Sequence, residues 1–392
     1  MSPESNHALI FGASGVAGWG LVNELLRKYP KEGTFSKVTA VVNRPLKFED
    51  TYWPPPSPGR PELQLVSGVN LLNGTVEGFT EKLREKVEGI ETVTHAFYFA
   101  YKQENDQATE VAANLGMLSR VTGALNILSP NLKFLVFPSG TKGYGIQLPP
   151  SDRPFTAPFI ETMVLPPHLS TENWYASFQA HLTDASANRS WTWAEVRPDA
   201  IIGFVPNGST FNLAAHWATY LSAHSLLEGH GAKVPYPGTT AGYESLFNDA
   251  SASIIGRLAI YFSLHPETCG GGKLFNIADQ ERPTSMKERW PKICEYFGLV
   301  GVGPVDEGKG ALLPGEYLQA NKERLEERGL KGVDVWKGDF LDTYGFYCDF
   351  DRQLGLRRIR EVGFEEERDP HQSWVETFEG FRRAGMIPES AK

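Results

Sequence analysis

Short apolar runs alternate with helical patterns through the first half of the chain. An apolar run at 8–11 precedes a helical pattern at about 16–29, in which Leu21, Leu25 and Leu26 share one face. Strands that alternate with helices in this way are typical of parallel sheets with crossover connections. The pattern predicts an α/β fold with a doubly wound parallel sheet of the Rossmann type. Further strands are expected at 37–42, 63–68, 94–99, 133–138 and 192–197.

The alternation ends after Gly203, where turn-rich stretches and helical patterns take over. One more apolar run, at 273–277, is predicted to return to the sheet as a strand. We therefore expect an NADP-binding Rossmann domain at 1–203 and a smaller, mostly helical substrate-binding region at 204–392. The later helical patterns lie at 286–297, 314–329 and 371–385.

A proline-rich segment at 51–61 separates the second and third predicted strands. Its prolines supply no backbone donors, which disfavours both a helix and a sheet ladder. We expect an exposed loop.

Composition and charge exclude several classes of partner. The chain has 392 residues, of which 41% are hydrophobic, and its 38 basic and 47 acidic residues are scattered and give a net charge of −9. This argues against a nucleic-acid-binding surface and against a polybasic membrane patch. The start of the chain lacks a signal-peptide pattern, and no stretch approaches the ~20 apolar residues of a membrane span. We expect a cytoplasmic protein without a membrane span; a homodimer stays open.

Cysteine and histidine usage disfavours a metal or disulfide protein. Cys269, Cys294 and Cys348 are odd in number and far apart, so they form neither a disulfide framework nor a zinc pattern. None of the nine histidines lies in an array such as H-E-x-x-H. We therefore expect no metal.

The strongest motif is a glycine-rich turn between the first predicted strand and the first helix. Gly12, Gly15 and Gly18 have the spacing G-x-x-G-x-x-G, and Ser14 and Val16 lie between them. Glycines let the backbone approach a pyrophosphate, and the following helix offers its N–H groups and its positive dipole end. A glycine-rich turn elsewhere would be an ordinary turn, but this context predicts dinucleotide binding.

The end of the second predicted strand bears on which dinucleotide binds. An NAD site usually has an acidic residue there for the ribose 2′-hydroxyl, whereas this chain has Asn43 and Arg44. An arginine can bind a 2′-phosphate through two parallel hydrogen bonds. The alternative is an ordinary solvated arginine. We interpret Arg44 as a determinant for NADPH.

Candidate groups for hydride chemistry come from two separate segments. Most short-chain dehydrogenases have a tyrosine and a lysine four residues apart on one helix, but here Gln179 stands four residues after Tyr175. A lysine must then come from elsewhere, and Lys142 follows the fifth strand, where doubly wound sheets place active-site groups. The alternatives are a core tyrosine and a solvated loop lysine.

The chain resembles the progesterone 5β-reductase and iridoid synthase-like (PRISE) family of atypical extended short-chain dehydrogenases. The resemblance lies in the run 134–144, which reads FLVFPSGTKGY, and in Asn173-Trp174-Tyr175. In that family the catalytic lysine lies in a T-G-x-K-x-Y segment and the tyrosine in N-F-Y-Y. The resemblance therefore assigns the catalytic roles to Lys142 and Tyr175. Further matches lie at 94–98, 131–133, 197–203, 275–277, Gly338-Asp339 and Ser373-Trp374.

The chain departs from the family pattern at a few positions. Trp174 and Ala176 replace aromatic residues beside the tyrosine, and Ser139 replaces a threonine. Asn70 stands where the family commonly has an aspartate that reaches the adenine, and its amide still offers hydrogen bonds. The resemblance therefore does not fix the choice of substrate.

The remaining candidates follow from strand ends and from family position. For the cofactor they are Asn70, Leu71, Phe99, Ala100, Ser139, Arg197 and Ile202. For the substrate they are Tyr101, Tyr144, Asn212 and Tyr347.

The resemblance implies an NADPH-dependent reductase that transfers hydride to an activated C=C bond of a hydrophobic small-molecule carbonyl compound. In this hypothesis Tyr175 stabilises the enolate oxygen, and the ammonium of Lys142 lowers the pKa of the tyrosine. Three alternatives stay open. They are a carbonyl reductase of the same fold, a cofactor-assisted cyclase or isomerase, and a non-catalytic NADP-sensing regulator.

Overall fold

Parallel strands joined by helices build the centre of the molecule. The computed structural model describes residues 6–170, 174–207, 209, 212–305, 312–330, 332 and 341–389. In these ranges the strands are β1 (Asn6–Phe11), β2 (Phe35–Val41), β3 (Glu62–Val66), β4 (His95–Tyr98), β5 (Phe134–Pro138), β6 (Thr192–Pro198), β7 (Ile201–Ile202), β8 (Lys233–Pro235), β9 (Ala250–Ser251), β10 (Lys273–Ile277) and β11 (Val300–Val302). The α-helices are α1 (Val16–Leu26), α2 (Val76–Lys86), α3 (Gln107–Leu128), α4 (Pro167–Ser170), α5 (Trp174–Ser186), α6 (Leu213–Glu228), α7 (Thr240–Glu244), α8 (Ala252–Leu264), α9 (Pro266–Cys269), α10 (Met286–Tyr296), α11 (Pro314–Ala320), α12 (Lys322–Glu327), α13 (Tyr344–Tyr347), α14 (Arg357–Glu361) and α15 (Pro370–Arg383).

The main sheet has seven parallel strands in the order β10-β6-β5-β4-β1-β2-β3. Strand β1 lies between β4 and β2, so the direction in which the sheet grows reverses there, as in doubly wound folds. The predicted fold class is confirmed. Each predicted strand of this sheet is present, with its ends within two residues of the expected positions.

Side chains alternate between the two faces of the sheet and build two apolar layers. Ala8 and Ile10 of β1 pack in one layer with α1 and α8, whereas Leu9 and Phe11 pack in the other with α2, α3 and α5. Helices on both faces are expected for a parallel sheet. Because α8 and β10 come from the later half of the chain, that half also supports the main sheet. The domain division at residue 203 stays a prediction.

The later chain is mostly helical, as expected, but it also contains two short parallel pairs. Strand β7 pairs with β9, and β8 pairs with β11. These strands have two or three residues each, which is too short to show the period of two that predicts a strand. The expectation of a single further strand in this region is therefore wrong.

The proline-rich segment 51–61 has no strand or α-helix, as predicted, but only its middle is exposed. Thr51 and Trp53 are buried against α1, where Trp19 Nε1 donates to the Thr51 carbonyl (2.7 Å) and Trp53 Nε1 donates to the Trp19 carbonyl (3.2 Å). At the far end of the segment, Arg60 Nε donates to the last carbonyl of α1 (2.8 Å). The prediction of an exposed loop is wrong for both ends, because side-chain donors tie them to the helix that follows the glycine turn.

Helix α3 is long and apolar enough to cross a membrane by its length and composition. The expectation that no stretch approaches such a span is therefore too strong. Met117, Leu118, Val121 and Leu125 of this helix lie in the second apolar layer, against the sheet. Core helices of globular folds meet the same criterion, so α3 is a weak indication of a membrane span.

Two buried histidines lie at the amino-terminal end of the sheet. His7 and His95 are each 2% exposed. Burial lowers the pKa of both rings to about 4, and the charges of Lys37 and Lys133, respectively, act in the same direction. The folded protein therefore holds both rings in the neutral form at neutral pH.

We predict that the protein loses stability as the pH falls from 6.5 towards 4. The unfolded chain protonates these rings near pH 6.5, whereas the folded chain does so only near pH 4, so acidification favours unfolding. At pH 5 the effect is on the order of 2 kcal/mol per histidine. Thermal unfolding at pH 7 and pH 5 should show a smaller decrease in midpoint for His7→Gln/His95→Gln than for the wild type. Equal decreases in both proteins would contradict the assignment.

Candidate active site

A cavity of about 1090 Å³ opens at the carboxyl edge of the sheet, where β1, β2, β4 and β5 end. Doubly wound folds bind their nucleotides at this edge. Most of the residues singled out in the sequence line it. They are Gly12, Ser14, Gly15, Val16, Asn43, Arg44, Asn70, Leu71, Phe99, Ala100, Tyr101, Ser139, Lys142, Tyr175 and Tyr347.

The glycine turn crosses the end of β4 with no room for a side chain. Gly12 has a φ of +79°, and a Cβ there would lie 2.5 Å from the carbonyl of Phe99. A Cβ on Gly18 would lie 2.2 Å from the Gly12 oxygen. Helix α1 then begins after Gly15, which has no side-chain cap, so the first N–H groups of the helix remain available to a ligand.

Polar residues after β2 and β3 line the part of the cavity next to the turn. Asn43 and Arg44 follow β2, and the Asn43 carbonyl accepts from Gly68 N (3.1 Å). Asn70 Oδ1 accepts from Leu72 N (2.8 Å), so this amide also shapes its own loop. The arrangement places a cation and two amides on one stretch of cavity wall.

Tyr175 and Lys142 reach the cavity from different elements. Tyr175 is the second residue of α5 and is 7% exposed, with the Trp174 ring 4.4 Å away and nearly perpendicular. Lys142 lies in a 3₁₀ turn, Thr141–Tyr144, directly after β5. A Cβ on Gly140 would lie 3.1 Å from the Tyr175 hydroxyl, so this hydroxyl lies against the same turn. The structure thus places both residues on the wall of one cavity.

The environment of Tyr175 favours its protonated form. Burial raises the pKa of its hydroxyl well above the usual value, while the Arg197 guanidinium lowers it and Glu195 and Glu110 raise it. The cation with the largest effect on this pKa is therefore Arg197, and not Lys142 as the sequence analysis expected. At neutral pH the hydroxyl can donate a hydrogen bond.

A buried polar cluster lies beneath the turn that carries Lys142. Arg197 Nη2 donates to Glu195 Oε1 (2.6 Å), and Arg197 Nε donates to Ser139 Oγ (3.1 Å). The Ser139 hydroxyl donates to Glu195, and Gln179 Nε2 donates to Glu195 Oε2 (2.6 Å). Sequence reasoning missed Glu195 and the role of Gln179. The available signal was Glu195 two residues before Arg197 in a predicted strand, since opposite charges at buried positions of one strand face need each other as partners.

Some predicted site residues lie behind the cavity wall. Tyr144 is 1% exposed and donates to Asn276 Oδ1 (2.6 Å). Asn212 caps α6 by accepting from Ala215 N (3.0 Å). The structure does not place either side chain on the cavity, and their contacts with substrate stay predictions. Gly18, Arg197 and Ile202 also lie outside the cavity lining.

A second stretch of cavity wall comes from the far end of the chain. Arg352 Nε donates to Asp199 Oδ2 (3.2 Å), and Thr141 Oγ1 donates to Asp199 Oδ1 (2.7 Å). Arg352 Nη2 also donates to the Tyr344 hydroxyl (3.0 Å). Neither Asp199 nor Arg352 is among the site residues predicted from the sequence. Three of the residues quoted for the family resemblance, Asn173, Gly338 and Asp339, lie outside the described residues.

Comparison with known proteins identifies the family. The sequence profile of the PRISE-like Rossmann-fold domain matches residues 8–388. The chain belongs to this family. The short chain dehydrogenase ausT of Aspergillus calidoustus is 32% identical to this PRISE-like chain, over 97% of the chain and 94% of the relative. The 3-oxo-Delta(4,5)-steroid 5-beta-reductase of Arabidopsis thaliana is 26% identical (96% and 92% covered), and the (S)-8-oxocitronellyl enol synthase ISY1 of Nepeta cataria is 25% identical (96% and 92%).

Solved structures share the fold at low sequence identity. The Bordetella bronchiseptica enzyme WbmG, in complex with NAD, has a TM-score of 0.58 at 15% identity, over 99% of this chain and 98% of that one. MlghC, a GDP-mannoheptose C4 reductase from Campylobacter jejuni with NADP bound, has a TM-score of 0.57 at 14% identity, over 97% and 100%. This PRISE-like chain thus shares the overall fold of these two nucleotide-bound enzymes.

The residues present fit a dinucleotide cofactor. In the described ranges, no side chain covers the backbone of the glycine turn at the start of α1. Asn207 Nδ2 donates to the Ser14 carbonyl (3.1 Å), and its other amide atom, Oδ1, is buried without a hydrogen-bond partner among the residues that the structure describes. Ser14, Asn207 and Tyr175 all line the same cavity. The PRISE-like chain is an oxidoreductase of the short-chain dehydrogenase/reductase class with a Rossmann nucleotide site.

We predict that Gly12→Ala abolishes dinucleotide binding while Gly33→Ala does not. Both glycines have a positive φ, +79° and +81°, but a Cβ on Gly12 would overlap the Phe99 backbone, whereas no atom of the described residues lies within 4 Å of a Cβ on Gly33. Backbone strain is therefore common to both variants, and closure of the crevice is specific to Gly12→Ala. Titration with NADPH should show a loss of more than about tenfold in affinity, equivalent to ~1.4 kcal/mol, for Gly12→Ala only. Similar dissociation constants for the two variants would refute this reading of the turn.

Proposed function

We propose that the protein is a cytoplasmic NADPH-dependent reductase that saturates an activated C=C bond in a hydrophobic α,β-unsaturated carbonyl compound. The observation that carries the proposal is the buried Tyr175 side chain on the wall of the nucleotide cavity, together with Lys142 from the turn after β5. The Arabidopsis relative, named as a reductase of a Delta(4,5) steroid ketone, supports the choice of an enone.

The chemistry requires a donor at the substrate's carbonyl oxygen. Bound NADPH supplies a hydride. When hydride adds to the β-carbon of an enone, negative charge develops on the carbonyl oxygen, and the Tyr175 O–H stabilises that charge more than it stabilises the ground-state carbonyl. The Lys142 ammonium adds a positive charge on the same cavity. Both groups act on the oxygen, and water then supplies the proton that converts the enolate, at its α-carbon, into the saturated ketone.

The walls of the cavity favour an apolar substrate. Beyond the glycine turn they include Met117, Ile146, Trp174, Leu213 and Leu341. Ligand sites of this composition bind hydrophobic small molecules and use few polar groups for orientation. The Asp199–Arg352 pair adds a polar stretch whose main hydrogen bonds are already made within the protein.

The product identifies the bond that is reduced. With a simple cyclic enone and NADPH, we expect a saturated ketone as the product, and Tyr175→Phe should lower kcat by about 10²–10⁴-fold while NADPH affinity changes little. The remote exposed variant Arg27→Ala serves as the control for handling and stability. An allylic alcohol as the only product would replace the proposal with carbonyl reduction. Product formed without net oxidation of NADPH would indicate a cyclase or isomerase, and binding without turnover would indicate a sensor.

The preference for NADPH rests on Arg44. The cofactors bound in the solved structures do not decide between NADPH and NADH, since WbmG is in complex with NAD and MlghC has NADP bound. Arg44 lines the cavity beside Asn43, in the position where NAD-specific folds have an acidic residue for the ribose. A guanidinium there can bind a 2′-phosphate.

We predict that Arg44→Ala weakens NADPH binding far more than NADH binding. The lost charge-assisted contact should cost roughly 1.5–3 kcal/mol, which is on the order of ten- to a hundredfold in dissociation constant. Fluorescence titrations of both cofactors measure this, and Arg27→Ala, which removes an exposed arginine from the far end of α1, should leave both constants unchanged. Equal weakening of NADPH and NADH would remove Arg44 from its assigned role.

A further inference from the structure

We propose that Arg197 is a positioning residue for Tyr175: held by Glu195 and Ser139, its guanidinium fixes a buried positive charge behind the tyrosine and the turn that carries Lys142. The proposal rests on the proposed function, because it assigns Arg197 an effect that is exerted through Tyr175. Arg197 itself is 4% exposed and does not line the cavity.

The contacts of Arg197 fix its guanidinium in one place. Nε and Nη2 both donate to Glu195 Oε1 (3.1 and 2.6 Å), and Nε also donates to Ser139 Oγ (3.1 Å). The guanidinium carbon lies 4.7 Å from the centroid of the Tyr144 ring and 5.8 Å from that of Tyr175. A cation within about 6 Å of an aromatic ring is attracted to it electrostatically.

The turn that carries Lys142 is shaped around this group. A Cβ on Gly143 would lie 2.4 Å from Arg197 Cζ, so only glycine lets the turn lie on the guanidinium. Gly140, in the same turn, lies next to the Tyr175 hydroxyl. Arg197 therefore supports the turn of Lys142 from below and lies beside the ring of Tyr175.

The position of Gln179 explains why the positive charge behind Tyr175 comes from Arg197 of β6 and not from the helix of the tyrosine. It lies one helical turn after Tyr175, at the position where the common Tyr-x-x-x-Lys pattern has its lysine, and its Nε2 donates to Glu195 Oε2 (2.6 Å). The helix thus contributes an amide that holds the carboxylate, and the carboxylate holds the arginine. A buried ion pair is weak evidence for stability, since apolar replacements of similar volume are often neutral or stabilising. A role at the site accounts for a buried ion pair in this place, between two elements that carry the catalytic candidates.

The charges around Tyr175 make the effect of the Arg197–Glu195 pair on the pKa of this tyrosine measurable. Arg197 and Glu195 face it from β6 and Glu110 from α3, with Tyr101 close by and Lys142 on the same cavity. Arg197 lowers the pKa of Tyr175, and Glu195 opposes it. Neutralising Glu195 should therefore lower this pKa, whereas a purely structural role predicts no directed change.

The first experiment is a double-mutant cycle between Arg197→Met and Tyr175→Phe, with kcat and KM measured on any carbonyl compound that the enzyme reduces. Arg197→Met should lower kcat by about ten- to a hundredfold, with KM changed less than about threefold. In the Tyr175→Phe background the same substitution should lower kcat no further, because the group through which it acts is absent. Arg197→Lys should recover part of the loss, since it restores the charge without the fork.

The second experiment follows the pH dependence of kcat/KM in Glu195→Gln. The alkaline decrease in activity should begin at lower pH than in the wild type. The reason is that the charge of Arg197, which lowers the pKa of Tyr175, is no longer opposed by the charge of Glu195. If Arg197→Met does not fold, Glu195→Gln/Arg197→Met carries the cycle, since it leaves no buried carboxylate without a partner. The matched control is Asp249→Asn/Arg289→Met, which removes an equally buried pair (2.7 Å) that does not line the cavity and does not appear among the charges acting on Tyr175. It should change the unfolding midpoint and show no coupling to Tyr175.

The outcomes separate this inference from the proposed function. Allylic alcohol as the product would overturn enone reduction but leave the coupling between Arg197 and Tyr175 measurable and expected. Full additivity of the two substitutions, or a folded Arg197→Met enzyme with wild-type kcat, would overturn the positioning role. Wild-type turnover in Tyr175→Phe would overturn both. An unchanged alkaline limb in Glu195→Gln would count against the electrostatic part.

Discussion

The parallel pairing of β1 with both β2 and β4 is the constraint on which the site depends. Because the sheet grows in opposite directions from β1, α1 packs on one face and α3 on the other, and a crevice stays open between them at the carboxyl ends of the strands. Gly12 crosses that crevice against the Phe99 backbone, at a separation that no side chain tolerates. The nucleotide site is thus a consequence of strand order, and the glycines keep it accessible.

The same strand order brings the catalytic candidates together. Strand β5 pairs with β4 and β6, so the turn after β5 lies beside the cavity, and α5 packs on the face next to it. Tyr175 and Lys142 can therefore meet although they come from different elements. Gly143 and Gly140 ease this approach, because a Cβ on Gly143 would overlap the Arg197 guanidinium and one on Gly140 would lie in tight contact with the Tyr175 hydroxyl (3.1 Å). Gln179 occupies the position on α5 at which the common Tyr-x-x-x-Lys pattern has its lysine. The candidate lysine of this chain, Lys142, comes instead from the turn after β5.

Features with a local pattern could be predicted from the sequence, and features that depend on distant contacts could not. A short apolar run predicts each strand of the main sheet, and the strand before and the helix after it make the glycine turn recognisable. The burial of Trp53 and the pairing of Asp199 with Arg352, 153 residues apart, depend on packing that no local pattern encodes. The family motif predicts the roles of Tyr175 and Lys142, but it does not show that Arg197 is the cation with the largest effect on the pKa of the tyrosine.

The balance of charge beneath the site suits a tyrosine that donates a hydrogen bond. A lone buried cation beside Tyr175 would stabilise the phenolate and lower the fraction of hydroxyl that can donate to a developing oxyanion. A cation paired with Glu195 acts more weakly on the hydroxyl yet still fixes the turn and the ring geometry, because its hydrogen bonds join β5, β6 and, through Gln179, α5. Burial then keeps the tyrosine protonated over the whole neutral range. A tyrosine needed as a base would gain from an unpaired cation, so the pairing of Arg197 with Glu195 favours reduction, in which the hydroxyl acts as a donor.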